Sequence, residues 1–161
     1  MELKTRKGET FYIDDEDYPI VQGRAWYITK RGYVATSIRK DGKVNNVNLH
    51  RLLIKTDGNV DVDHINGNKM DNRRTNLRIC THQQNSCNQK KRSTNKSGYT
   101  GVSFFKATGQ YEAYIWCNYK KIYLGLFDSA VEAAMARDKA ALIYHGQYAR
   151  LNFGRELYAD A

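Results

Sequence analysis

Residues 63 to 85 carry the densest chemistry of the chain. Asp63-His64 sets a carboxylate beside an imidazole, Asn76 follows twelve residues after His64 and Asn85 nine after that, so all four lie within 23 residues. Carboxylate and carboxamide oxygens are hard donors for a small divalent cation, and histidine titrates close to neutrality. Hydrolysing a phosphodiester near neutral pH needs a base of that kind, a cation to take up charge and groups that orient both. A purely structural reading competes with this one. Asn66-Gly67 is a strong turn signal, and Asp63 and His64 would also serve to cap such a turn.

The flanking sequence supplies elements that could position these groups. Val60, Val62 and Ile65 suit a short strand before the turn, and Leu77, Ile79 and Cys80 suit a second one. Thr81-His82-Gln83-Gln84 has the form of a capping box that opens a short helix. Strand, loop, strand and helix would bring Asp63, His64 and Asn85 together. The constellation resembles the HNH endonucleases, specifically the phage and intron-encoded homing branch with a zinc-free ββα-metal site.

That resemblance implies roles residue by residue. Asp63 and Asn85 would be the metal ligands, His64 the general base, and Asn76 the group that holds the His64 ring by a hydrogen bond. Many members of the family have histidine where Asn85 stands. Two oxygen donors without an imidazole favour one magnesium or manganese ion per site over zinc or nickel. His82 is expected to face solvent. His50-Arg51-Leu52-Leu53-Ile54 should start a short helix, and the family commonly has a His-Arg pair there. Its histidine is expected to be structural, with Arg51 reaching towards phosphate.

Composition agrees with a polyanionic partner. The chain has 161 residues, a net charge of +9 and a pI near 9.5, and allows one domain or two small ones. Residues 1 to 30 hold five basic and six acidic side chains, whereas 66 to 96 hold eight basic against Asp71 alone. Within that block Lys69, Arg73, Arg74 and Arg78 are expected to grip the phosphates that flank the scissile bond. Asp14-Asp15-Glu16-Asp17 would repel a duplex and should face away from it. Three cysteines, Cys80, Cys87 and Cys117, form no C-x-x-C pair, which argues against a disulfide framework and against a structural zinc site. No signal peptide is apparent and no apolar run approaches 18 residues. The expectation is a protein of the reducing cytoplasm, the host cell's if phage-encoded, neither secreted nor membrane-bound.

Three regions separate along the chain. Residues 1 to about 49 read as short strands at Thr10–Ile13, Ala25–Ile28, Tyr33–Thr36 and Val44–Leu49, with bends at Gly32 and Asp41-Gly42. This β-rich leader resembles those that precede many phage HNH motifs. Asn88 to Ser97 contains no apolar residue, and its Lys90, Lys91, Arg92 and Lys96 suit either an arm on a nucleic-acid groove or a solvated tether. Beyond Gly98, Ala113, Ile115 and Cys117 alternate with Tyr114 and Trp116; Ile122 and Leu124 would share the first face, Lys121 and Tyr123 the second. Ser129-Ala130-Val131-Glu132 is a further capping box, six alanines follow between 130 and 141, and Gly146 is a helix stop.

Tyr99-Thr100-Gly101-Val102, Tyr123 to Asp128, Ala133-Ala134, Asp138 to Ala141 and Leu151-Asn152-Phe153 resemble the APETALA-type (ethylene-response-factor) DNA-binding domain. The resemblance implies a three-stranded antiparallel sheet packed on one helix. Tyr114, Trp116, Lys121 and Tyr123 would then form an exposed face able to enter a major groove. The arginines that would read guanine in the plant proteins are replaced by Ser103, Phe105 and Trp116.

The sequence therefore predicts an α+β chain in two parts. A nuclease domain would span 1–89, with the leader at 1–49 and the ββα-metal motif at about 50–89. A basic linker at 90–97, an APETALA-type domain at 98–153 and a tail at 154–161 would follow. The expected function is a metal-dependent HNH endonuclease of the homing type, monomeric, acting on double-stranded DNA and nicking it, with site preference supplied by the sheet domain. A DNA-binding regulator with a relic nuclease site and a low-specificity nuclease are the alternatives.

Overall fold

The computed structural model describes residues 1–56, 59–87 and 95–159, so Lys90, Lys91 and Arg92 of the expected basic arm lie outside the described residues. Helices and antiparallel sheets are mixed, as an α+β chain requires. The chain divides into two compact units, Met1–Asn85 and Ser86–Ala161.

In the first unit β1 (Glu2–Lys4) pairs antiparallel with β2 (Thr10–Tyr12). A 3-10 turn at Asp15–Asp17 leads into the short helix α1 (Tyr18–Val21), with Pro19 in its first turn. Neither β1 nor α1 was legible in the sequence. Three-residue strands and one-turn helices are too short for a period to register. β3 (Tyr27–Ile28), β4 (Val34–Lys40) and β5 (Lys43–Asn48) form a meander in that order. Asp41 and Gly42 close the β4–β5 hairpin with φ of 51° and 74°, the positive pair that a two-residue turn between twisted strands demands.

The helix α2 (Leu49–Leu53) follows, then the antiparallel pair β6 (Asp61–His64) and β7 (Leu77–Cys80), then α3 (His82–Cys87). The capping box at the start of α3 is reciprocal: the Thr81 hydroxyl accepts from the Gln84 N–H at 3.2 Å, and the Gln84 side chain accepts from the Thr81 N–H at 2.8 Å.

The leader is no appendage. Phe11, Ile13, Trp26 and Val34 share one buried cluster with Leu49, Leu53, Val62 and Leu77. The amino-terminal strands thus supply most of the large apolar side chains that the β6–β7 hairpin alone lacks, since an isolated hairpin is marginal in water. β2 also fixes the loop between β6 and β7. Tyr12 donates to the Met70 carbonyl and accepts from the Asn72 N–H, each at 2.8 Å.

In the second unit β8 (Val102–Phe105), β9 (Gln110–Cys117) and β10 (Lys120–Phe127) form an antiparallel sheet with β9 central. Ala113 and Ile115 are buried, whereas Trp116 and Tyr123 are exposed, as the alternation requires. A bulge between Tyr123 and Gly125 resets the alternation, so that Leu124 and Phe127 both join the inner cluster.

The helix α4 (Ala130–His145) begins at the Ser129/Glu132 capping box and ends before Gly146, whose φ is 54°. Ala133, Ala134, Ala140 and Ala141 are buried against the sheet, their small side chains permitting close approach. Gly101 shows how tight that approach is. Its φ is 73°, and a Cβ there would sit 2.5 Å from the Tyr114 carbonyl oxygen and 2.8 Å from Cγ of Arg137.

Alanine contacts bury little apolar area each, and a polar knot adds to them. Asp138, fully buried, accepts from the Asn152 and Phe153 N–H groups at 2.6 and 3.0 Å, from the Asn152 side chain at 3.0 Å and from the Tyr158 hydroxyl at 3.1 Å. Asn152 in turn bonds both backbone groups of Thr100. The segment after 153 is therefore not a free tail: Tyr158 lies buried in a 3-10 turn, Arg155–Tyr158, and the apolar surroundings and Asp138 push its phenol up to about 12.

Candidate active site

Consecutive residues of a strand face opposite ways, so β6 divides its side chains into two sets. Val62 and His64 face the core; Asp61 and Asp63 face the other side, opposite Cys80 and Arg78 of β7.

His64 is buried among rings. The His50 ring stands edge-on to it with centroids 5.0 Å apart, and Tyr33 lies 5.0 Å from His50 and 6.1 Å from His64. Burial lowers the pKa of His64 below its ordinary value of 6.5, the hydrogen bond to Asn72 and the Asp63 carboxylate opposing it in part. His50, α2's contribution, is driven down to about 3 by burial and by its histidine neighbour. Both imidazoles are thus held neutral near pH 7.

Asn72, fully buried, lies 3.3 Å from Nε2 of His64 through its Oδ1, while its Nδ2 donates to the Lys69 carbonyl at 3.2 Å. The second contact fixes which end of the carboxamide faces the ring. Asn76 was expected in this place. Its carboxamide instead closes the loop, accepting from the Asn66 N–H at 3.0 Å and donating to the Asp71 carbonyl at 2.7 Å. Asn76 ends the 3-10 turn Arg74–Asn76 at the base of the loop, and two backbone groups lie within its reach there. Asn72 sits inside that loop, tied to β2, and meets the ring.

On the other face Asp63 receives Nε and Nη2 of Arg78 at 3.1 and 2.8 Å on the same oxygen. Asn85 reaches Asp61, not Asp63, in the hydrogen bonds it makes. Its Nδ2 donates to Oδ2 of Asp61 at 3.1 Å, where His82 Nδ1 also lies at 3.1 Å, and Arg51 pairs with the other oxygen at 2.8 Å. The Asn85 amide, foremost, and these neighbours hold the Asp61 carboxyl below its ordinary range. Asp61 thus joins Asn85, His82 and Arg51, a grouping that the sequence reading passed over although Asp61-Val62-Asp63 at period two was its signal.

Among the described residues no group of three or more histidine, cysteine or carboxylate side chains could hold a metal ion by itself. The donors available at this face are two carboxylates and a carboxamide. That set suits an oxygen-seeking ion that keeps several waters and shares phosphate oxygens, as magnesium does.

The basic residues divide by partner. Arg73 clasps Asp71 through two contacts of 2.7 Å. Lys69 donates to the Arg31 carbonyl at 2.8 Å and lies 4.0 Å above the Tyr33 ring. Arg51 pairs with Asp61, and Arg78 is mostly covered beside Asp63. Arg74 departs from expectation. Its backbone N–H binds Asp14 at 2.7 Å and its guanidinium takes both oxygens of buried Asp17, at 3.1 and 2.7 Å. Moving Arg74 to a phosphate would strand a buried carboxylate, so it is a brace. The acidic stretch is likewise a structural partner of the loop.

On the second unit's outer face Trp116 stands opposite Lys121 and Tyr114 opposite Tyr123. Lys121 lies 4.2 Å above the Tyr114 ring and donates to Glu112 at 2.9 Å. Glu112 shares that face by alternation and was passed over in the sequence. Lys96 is exposed.

The HNH endonuclease family matches residues 55–87. An uncharacterised HNH endonuclease of Acanthamoeba polyphaga mimivirus is 35% identical over 103 residues, 60% of this chain and 52% of that protein. APETALA2-like protein 2 of Oryza sativa is 45% identical over 64 residues, 40% of this chain and 15% of its own length. An AP2-like ethylene-responsive transcription factor of Arabidopsis thaliana is 47% identical over 57 residues, 35% of this chain and 12% of its own. The chain thus spans about half of the viral relative and a small part of the plant ones. It joins a segment that matches the HNH endonuclease family to a region similar to the AP2-like plant proteins.

Proposed function

We propose that the chain is a metal-dependent DNA endonuclease in which the first unit cuts and the second unit addresses the cut. β6, β7 and α3 would be its ββα-metal site. What supports this reading is a buried histidine, His64, next to Asp63 along β6, within the segment that matches the HNH family.

Asn72 fixes the His64 ring. Nε2 of the ring meets the Asn72 oxygen, which holds the direction in which His64 takes a proton from the attacking water. A ring already desolvated and neutral needs no deprotonation before it acts, and the Tyr33 and His50 rings hold its direction. Asp63 and Asn85 would hold the magnesium or manganese ion, which when bound offsets the negative charge that develops on the phosphate and on the departing oxygen. Asp61 orients Asn85 by taking its Nδ2, which turns the carboxamide oxygen away from that carboxylate. Arg51 and Arg73 contact phosphates flanking the scissile bond, each shared with an acid until DNA arrives.

One site on a monomer nicks one strand. The outer face of the β8–β10 sheet enters a major groove and gives site preference, and the basic segment through Lys96 adds phosphate contacts. Supercoiled plasmid incubated with magnesium or manganese tests the reading: open-circle product should form, chelation should stop it, and the His64→Ala protein should bind DNA without cutting. Binding with no metal-dependent cleavage by the native chain would leave a DNA-binding regulator instead.

A further inference from the structure

The outer face of the second unit's sheet lacks the group that guanine demands. β8, β9 and β10 contain no arginine. The lysine on this face of β10, Lys121, is committed to Glu112 and to the Tyr114 ring. In the major groove guanine offers two acceptors and is read by free donors, whereas thymine offers a methyl group that is read by apolar contact. What this face does present is Phe105, Trp116 and Tyr123, with 43, 58 and 57% of their surface exposed.

Aromatic surface of that extent on one sheet face costs hydration free energy unless something apolar covers it. Flanking charge limits what that cover is. Lys106, just past β8, and Lys120, at the start of β10, are exposed beside these strands, so an apolar partner flanked by negative charge fits the face, and a duplex supplies both: phosphates outside and a row of thymine methyls along the groove floor.

We infer that this sheet selects thymine-rich duplex sites by their 5-methyl groups, with Trp116 and Tyr123 as the reading side chains and Phe105 at the edge. The inference rests on the reading of this face as a groove-binding surface, and it names the base that the face distinguishes.

The test uses the full chain in chelator, so that binding is seen without cutting. Sites are first selected from a pool of randomised duplexes, then resynthesised with deoxyuridine for thymidine, which removes only the methyl groups. Selected sites should contain thymine runs, and each contacted methyl should be worth about three- to fourfold in affinity, the value of one buried carbon. Loss of several methyls together should therefore weaken binding tenfold or more. Trp116→Ala and Tyr123→Ser should each bind thymidine and deoxyuridine duplexes more nearly alike, because the group that senses the methyl is gone. Guanine-rich selected sites, or equal affinity for thymidine and deoxyuridine duplexes, would overturn the inference while leaving DNA binding intact. Failure to bind any duplex at low salt is a separate result: it would remove the groove-binding reading and this inference with it.

Discussion

The two units place their distinctive side chains in opposite environments. In the first, His64 is buried under Tyr33 and His50, Asp63 lies beneath Arg78, and Asp61 is enclosed by Arg51, His82 and Asn85. In the second, Trp116 and Tyr123 stand in solvent. The cores reverse the pattern. The first unit is built on Phe11, Ile13, Trp26 and Leu49, the second largely on alanines supplemented by the buried Asp138 network. Acid–base chemistry depends on groups whose protonation state and direction are set beforehand, and burial with hydrogen bonding sets both. Recognition of a large polyanion depends on surface that remains available. The difference explains why titratable groups cluster in one unit and exposed rings in the other.

Substitutions can break that contrast, and the largest effect is expected at His64. His64→Ala should lower cleavage by a factor of about 10² to 10⁴ while duplex affinity stays nearly constant. A matched loss of binding and cutting would make His64 a structural residue. Next comes the second unit's own buried group. Asp138→Ala leaves the Asn152, Phe153 and Tyr158 donors without their acceptor and Arg137 without its carboxylate neighbour, at a cost of about 3–5 kcal/mol in denaturant unfolding. A loss below about 1 kcal/mol would show that the knot is replaceable by water.

Asp61 sharpens the comparison from the metal side. Asp61→Asn can no longer take the Asn85 amide as a carboxylate does, so manganese affinity measured by calorimetry should fall about 10- to 100-fold with folding retained. An unchanged affinity would reduce Asp61 to an anchor for Arg51.

The smallest effect concerns pH. His50 titrates at about 3 in the folded chain against an ordinary 6.5, so the unfolded chain binds the extra proton between those values. Stability from this group is therefore complete above pH 6.5 and lost as pH falls, by about 2 kcal/mol between pH 7 and 5. His64, shifted in the same direction, adds to the slope. His50→Phe should flatten it in urea titrations. A slope that survives that substitution undiminished would assign the proton uptake elsewhere.

What could be read from the sequence was local in origin. Turn residues at Asp41-Gly42, the capping boxes at Thr81 and Ser129, the alternation from Ala113 to Cys117 and the stop at Gly146 all follow from a few neighbouring residues, and all recur in the structure. The spacing of Asp63, His64, Asn76 and Asn85 identified the motif because a strand–loop–strand–helix constrains separation along the chain. Partner choice was decided by tertiary structure. Asn72 rather than Asn76 meets His64 because β2, about sixty residues earlier, holds the loop and sets which amide points inward. Asn85 finds Asp61 because the pleat puts it on the same face as Asp63. Arg74 is a brace because Asp17 is buried beside it, and Tyr158 belongs to the second unit because Asp138 needs its hydroxyl. Periodicity reports which face a side chain takes; which groups share that space depends on segments far apart in sequence, whose pairing no local pattern encodes.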